Sequence, residues 1–382
     1  MIISHIEVFG FRSLRSVSQR LESFHVLAGP NGSGKSNFLD AFQFLNAVAR
    51  TGLQKAVDER TLNPLDLFWN RQPGVFRIAV QTTSPVSGRV IRYELNVASE
   101  PVPSIFSEEI TAGADDPLEV LLLSRNASGA VHALRDFQPL DRAILPKERS
   151  VLEYLAVHSI QELNDHLDFV RSARIHRINL NPRSLESRCP PSFRNDMPHP
   201  DERNLPWLVQ RLQSARPDSY ESWLNHVRTV FPELDAIVVH VREEDKHAYL
   251  VLRYLSGIEV PSWAASEGTL RFLGLTVLPY LPFVPQLYLV EEPENGLHPA
   301  ALDAVYQSLS SVYDGQVLVT THSPILLSTV ELDEVLCFSR GVDGSTDVIE
   351  GALHPTLREW CGEVPLGVLF ASGVLNRLPV SS

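Results

Sequence analysis

Eight consecutive residues, Gly29-Pro30-Asn31-Gly32-Ser33-Gly34-Lys35-Ser36, follow the spacing G-x-x-x-x-G-K-[ST]. Glycines in such a loop let successive backbone N–H groups turn inward around a phosphate. The lysine reaches β and γ oxygens, and the terminal hydroxyl is a ligand for Mg2+. Asn37, the next residue, belongs to the same expected nucleotide-binding set. Three more stretches could join this chemistry. Leu287-Tyr288-Leu289-Val290-Glu291-Glu292-Pro293 is an apolar run ending in paired carboxylates, of which Glu291 would stand beside the metal and Glu292 would polarise an attacking water. Thr321-His322-Ser323-Pro324 closes a second apolar run and offers a histidine to a γ-phosphate or water. Ser266-Glu267-Gly268-Thr269 combines small residues with an expected helix start, which favours anions.

Taken singly, the last three have ordinary readings: a solvated acidic strand end, a structural histidine and a helix cap. Their combination with the glycine loop is what points to a shared site. The elements that must position them are legible. Phe24–Ala28 is a short apolar strand running into the loop, and after Lys35 the residues Phe38, Leu39, Phe42, Leu45, Val48 and Ala49 share one helical face. Buried strands are expected at 287–291 and 316–320, which a parallel sheet would deliver to one crevice. Ile2, Ile6, Val8 and Phe11 alternate loosely, and 75–83 and 89–97 form a second pair of strands around a turn. Between 100 and 150 only weak strand signals appear, at 119–123 and 131–134. Residues 151–170 are expected to be helical, with further helices around 204–214 and 217–230 and strands at 236–241 and 248–254.

The chain has 382 residues, 44% hydrophobic and 21% charged, an ordinary globular composition that excludes wholesale disorder. Its net charge of −13 excludes a basic coat that would grip nucleic acid in bulk. Cys189, Cys337 and Cys361 form no CxxC pair, so neither a zinc site nor a disulfide framework is expected. The N-terminus lacks a signal-peptide pattern, and the most apolar segment, 270–290, is broken by three prolines. A cytoplasmic protein without membrane passage is expected.

In order, GPNGSGKS, ASEGTLRFL, LYLVEEPENGLHP and VTTHSP resemble the SMC and RecF-type branch of the ABC ATPases, in particular the stand-alone prokaryotic AAA-family ATPases. The segments FGFRSL, NLPWLVQRL, FPELDAI and PLGVLFASGVL resemble that pattern too. The resemblance implies an α/β fold: a P-loop NTPase head of ABC type with a mixed central sheet, an antiparallel β subdomain and a helical lobe carrying the signature. It divides the chain into 1–100 (Walker A and β subdomain), 101–240 (an inserted lobe), 241–350 (signature, Walker B, D-loop and switch histidine) and a tail, 351–382. It implies Walker A at Gly29–Ser36, the metal-side carboxylate at Glu291, the catalytic carboxylate at Glu292, and a switch at His322. The signature would be Ser266, Glu267 and Gly268, acting in trans, and the D-loop Asn295, Gly296, Leu297 and His298. ATP and Mg2+ would be the ligands. Glu291 departs from the aspartate usual among ABC ATPases, and no glutamine loop is evident, since neither Gln72 nor Gln81 has a persuasive context.

Such heads work as ATP-sandwiched dimers, so a homodimer or higher homo-oligomer is implied. The first functional reading is a DNA-linked sensor or regulator of a separately encoded effector, a nuclease or toxin, in anti-phage defence or DNA repair. Between 171 and 216 nine arginines face four acidic residues, and Arg171, Arg174 and Arg177 are the candidate DNA contacts. Scattered arginines also fit pairing with the chain's own carboxylates. The alternative is a nucleotide-gated protein scaffold with little turnover and no DNA contact. A transporter ATPase is disfavoured by the roughly 230 residues between Ser36 and Ser266. The 60 or so residues after His322 are too few for a Toprim nuclease, so any nuclease must come from another chain.

Overall fold

The computed structural model describes residues 2–83, 88, 90–100, 102–113, 120–133, 144–152, 175–178, 184–185, 188–194, 198–199, 201, 203–281, 287–313, 315–360 and 364–373. The expected helix at 151–170 lies almost wholly outside these residues, as do Arg171 and Arg174.

Two sheets enclose α1 (Lys35–Thr51) and α2 (Leu53–Asp58), and a helical lobe packs on the far face of the second sheet. The first sheet is antiparallel and seven-stranded, in the order β2 (Leu14–Arg20), β1 (Ile2–Phe11), β4 (Val75–Thr83), β5 (Val90–Ala98), β6 (Ser104–Ala112), β7 (Val120–Arg125), β8 (Val131–Ala133). It takes strands from both sides of residue 100. Strand β5 shows why it forms: exposure alternates residue by residue, with Ile91, Tyr93, Leu95 and Val97 buried.

The second sheet is mixed. Its order is β16 (Thr346–Glu350), β15 (Val335–Arg340), β3 (Phe24–Ala28), β14 (Gln316–Thr321), β13 (Leu287–Glu291), β9 (Ile175–Ile178). All neighbours pair in parallel except the β15–β16 hairpin. Every residue of β3 and β14 is buried, as expected of strands covered on both faces. Leu27, Leu289, Leu318 and Phe338 face α1, α2 and the antiparallel sheet in one core. Val26, Val290, Val317, Val319 and Cys337 face the other way, into the helical lobe. Gln316 fastens the two sheets: its side chain accepts from Ile3 N–H at 3.2 Å and donates to the Ile3 and Glu22 carbonyls at 2.9 and 2.7 Å. A fully buried amide is tolerated because its polar atoms are satisfied.

The lobe comprises α3 (Leu205–Ala215), α4 (Pro217–Arg228), a three-stranded sheet of β10 (Leu234–Val241), β11 (Ala248–Tyr254) and β12 (Glu259–Pro261), α5 (Glu267–Thr276) and α6 (Leu302–Ser310). Short helices α7 (Pro324–Leu327), α8 (Pro355–Trp360) and α9 (Leu366–Ala371) follow. Gly367 touches α7 so closely that any Cβ there would overlap the Pro324 carbonyl oxygen. No described helix is long and apolar enough to cross a membrane.

Candidate functional site

Parallel pairing aligns the strand ends that carry the motifs. Thr321 pairs with Ala28, and Glu291 with Thr320, so the glycine loop, the carboxylates and His322 leave the sheet along one edge. The loop between β3 and α1 is built for close approach. Gly32 and Gly34 have φ of +77° and +101°, and a Cβ on Gly34 would collide with the Thr346 side chain. Lys35 is buried and donates to the Gly29 and Pro30 carbonyls at 2.6 and 3.0 Å. Burial lowers its pKa, while Glu292 and Glu294 pull the other way. Asn37 donates to Ser13 Oγ at 2.7 Å, and Ser13 in turn contacts Thr346 Oγ1 at 2.8 Å, joining the FGFRSL segment to the loop.

A cavity of about 300 Å3 opens over Asn31–Asn37 and is also lined by Ser13, Glu292, Thr320 and Arg340. Anion-binding groups fit it: the α1 N-terminus, Lys35 and the exposed Ser36, with a buried Ser33 hydroxyl that has no protein partner. Gly32 and Gly34 supply the positive φ that turns the loop, and Gly34 also leaves room for the Thr346 side chain. ATP therefore fits the residues present; Ser36 is open to a Mg2+ ion, while Glu291, the other expected ligand, does not line this cavity.

Glu292 sits at φ +47°, outside the usual range for a side-chain-bearing residue. Its N–H donates to the Thr320 carbonyl at 2.9 Å, its carboxylate accepts from Asn295 Nδ2 at 2.7 Å, and His322 Nδ1 lies 3.3 Å from it. A strained residue pinned on three sides at a cavity is a functional signal. Glu294, absent from the expected set, accepts from Thr321 Oγ1 at 2.6 Å and from the His322 N–H at 3.2 Å. The run Glu-Glu-Pro-Glu held the signal for it: a third carboxylate in the turn after the strand.

Glu291 is placed differently. It lines a neighbouring cavity of about 190 Å3 with Arg271 and Asn295, and its carboxylate lies 2.7 Å from Arg177 Nε. Arg177, considered as a DNA contact, thus stands beside the carboxylates. The strand next to β13 is β9, whose Ile178 pairs with Val290. Neither glutamine considered for the metal lies there: Gln81 is in β4 opposite His5, and Gln72 is exposed beyond 69–71.

Ser266 caps α5, accepting from the Thr269 N–H at 3.0 Å. Gly268 packs against the 295–298 turn, where an added Cβ would stand 2.6 Å from the Gly296 carbonyl oxygen. Arg271 clamps the same turn, pairing with Glu267 at 2.9 Å and donating to the Asn295 carbonyl at 3.0 Å. His298 caps the following turn through Ala300, and Leu297 is half-buried against the lobe core. Ser266, Glu267 and Gly268 are therefore grouped with Asn295–His298 and do not line the cavity at their own glycine loop.

A mixed sheet with the glycine loop, the carboxylates and the histidine on one edge, an antiparallel sheet on one face and a helical lobe on the other, is the fold of a P-loop head of the ABC and SMC type. The fold agrees with solved structures. An SMC head bound to the C-terminal winged-helix domain of ScpA matches with a TM-score of 0.56 at 16% identity, covering 94% of this chain and 100% of that one. The Smc head with an extended coiled coil bound to the C-terminal domain of ScpA, derived from Pyrococcus furiosus, matches with a TM-score of 0.50 at 14% identity, covering 91% and 96%. By sequence, residues 24–328 match the family model described as "AAA domain, putative AbiEii toxin, Type IV TA system", and the chain belongs to that family. No curated protein matches the sequence.

Proposed function

We propose that the protein binds and hydrolyses ATP as a sandwich of two heads, and that closure and opening of this dimer regulate a separately encoded effector. The observation that carries the reading is the split between the two halves of the site. Lys35, Glu292, Glu294 and His322 gather at the glycine loop. The exposed α5 N-terminus with Ser266 and Gly268 sits with the D-loop instead, available to a second copy.

The placement supports the following residue roles. The Gly29–Ser36 loop and Lys35 hold the phosphates; on phosphate binding Lys35 exchanges carbonyl partners for anionic oxygens. Glu292 accepts a proton from the attacking water, with Asn295 and His322 fixing its carboxylate. Glu294 holds His322 in reach through Thr321, so loss of a γ-phosphate contact at His322 would be felt by α7 and α9. Mg2+, when bound, would offset charge on the phosphate oxygens.

The test is steady-state ATP hydrolysis against protein concentration, with Lys35→Ala as blank and duplex DNA present or absent. A specific rate that climbs with concentration supports composite sites; a rate that stays flat for a protein sized as a monomer would sink the sandwich. Stimulation by DNA would favour a DNA-linked sensor. The alternative, a nucleotide-gated scaffold without DNA contact, is favoured by one observation: Arg177 lies against Glu291. Binding without turnover above the blank would select it.

A further inference from the structure

We propose that Arg177 is a latch on the metal-side carboxylate, holding Glu291 in the nucleotide-free head until Mg2+ takes its place. The proposal rests on reading Glu291 as the carboxylate that holds the metal. Arg177 is the register partner of Leu289 in the parallel β9–β13 pair. Parallel register partners project from the same face of a sheet, and so does the residue two further along, Glu291. The sheet itself therefore delivers a guanidinium and a carboxylate to one spot.

The contact is one of charge. Arg177 Nε lies 2.7 Å from Glu291 Oε1, but its N–H is not aimed at an acceptor, so the pair lacks the directional bond of a well-formed arginine–carboxylate fork. The Nε atom itself is shielded, while the Arg177 side chain as a whole is 41% exposed and that of Glu291 20%. An arginine cannot shed its charge, so in this state it neutralises the carboxylate a divalent cation would need. Glu291 meanwhile lines the cavity shared with Arg271 and Asn295 but not the one over the glycine loop, whereas Glu292 lines both. Binding of Mg2+ with ATP must draw Glu291 away from Arg177, so the latch raises the Mg2+ concentration needed to fill the site and releases Arg177 when it is filled.

The experiment titrates Mg2+ into full-length protein with a fluorescent ATP analogue, reading anisotropy, and repeats it with Mn2+ by electron paramagnetic resonance. Arg177→Met keeps the aliphatic stem and removes the charge. Half-saturating metal should fall by about two- to fivefold, the scale of a partly exposed ion pair, and Arg177→Lys should restore most of the wild-type requirement. An unchanged or higher requirement in Arg177→Met, with Glu291→Gln raising it, would overturn the latch and leave the metal reading standing. If Glu291→Gln leaves the metal requirement unmoved, Glu291 is not the metal-side carboxylate, and that reading fails together with the latch.

Discussion

Glu294 bridges Thr321 and His322: its Oε1 accepts the Thr321 hydroxyl at 2.6 Å and the His322 N–H at 3.2 Å. The turn after β13 is thereby tied to the end of β14 by a charged acceptor. Replacing Glu294 with Ala removes both bonds and frees the His322 loop. Turnover should fall by about tenfold or more, since bonds to charged groups are worth about 1.5–3 kcal/mol each, while equilibrium ATP binding stays within a few-fold. Parallel turnover and nucleotide-binding titrations check this. Wild-type turnover in Glu294→Ala would show that the bridge is only structural.

Glu292→Gln keeps the shape and the Asn295 contact but removes the base. Hydrolysis should drop by about 100-fold or more, the usual scale for losing a general base. ATP should then hold the protein as a dimer by light scattering, and the dimer should disperse when Mg2+ is chelated. A monomeric Glu292→Gln protein in saturating ATP would count against the sandwich.

Much of this arrangement is legible in the sequence, for reasons that differ by residue. The glycine loop and the β13 carboxylates are contiguous, so spacing alone carries them. Strands β6 and β7 are obscure because the pairing skips Phe106 in β6 and Leu122 in β7, which breaks the two-residue period that betrays a strand. The place of Arg177 depends on β9 pairing with β13 across more than a hundred residues, which no local pattern encodes. Within 171–216 it is one arginine among nine. Glu294 is written beside the motif, but its role depends on β13 and β14 being neighbours.

Acid should weaken the fold through His176. It is buried in β9 against Tyr288, with ring centroids 5.8 Å apart, and burial pushes its pKa down from 6.5 to about 4. The unfolded chain therefore binds this proton first as pH falls. Stability is intact above about pH 6.5 and is lost progressively towards pH 4, by about 2 kcal/mol at pH 5. Thermal melts at pH 7 and pH 5 check it: the fall in Tm should be smaller in His176→Phe than in wild type. Equal falls would mean that other groups dominate.

Trans completion of the site is open to a mixing experiment, because Ser266 and Gly268 do not line the cavity over their own glycine loop. Lys35→Ala disables the phosphate side. Gly268→Ala disables the signature side, since its methyl would stand 2.6 Å from the Gly296 carbonyl oxygen and push the α5 N-terminus off the D-loop. Each variant alone should be inactive. In a mixed dimer, however, the intact glycine loop of one chain meets the intact signature of the other, while the opposite site carries both lesions. Random pairing makes half the dimers mixed and leaves one sound site in each, so an equimolar mixture should regain about a quarter of wild-type turnover if sites act independently. No recovery, with mixed dimers verified by differential tagging, would mean either that one chain completes its own site or that both sites must fire together. Trapping with Glu292→Gln separates these, because a site complete within one chain would hold ATP without dimerising.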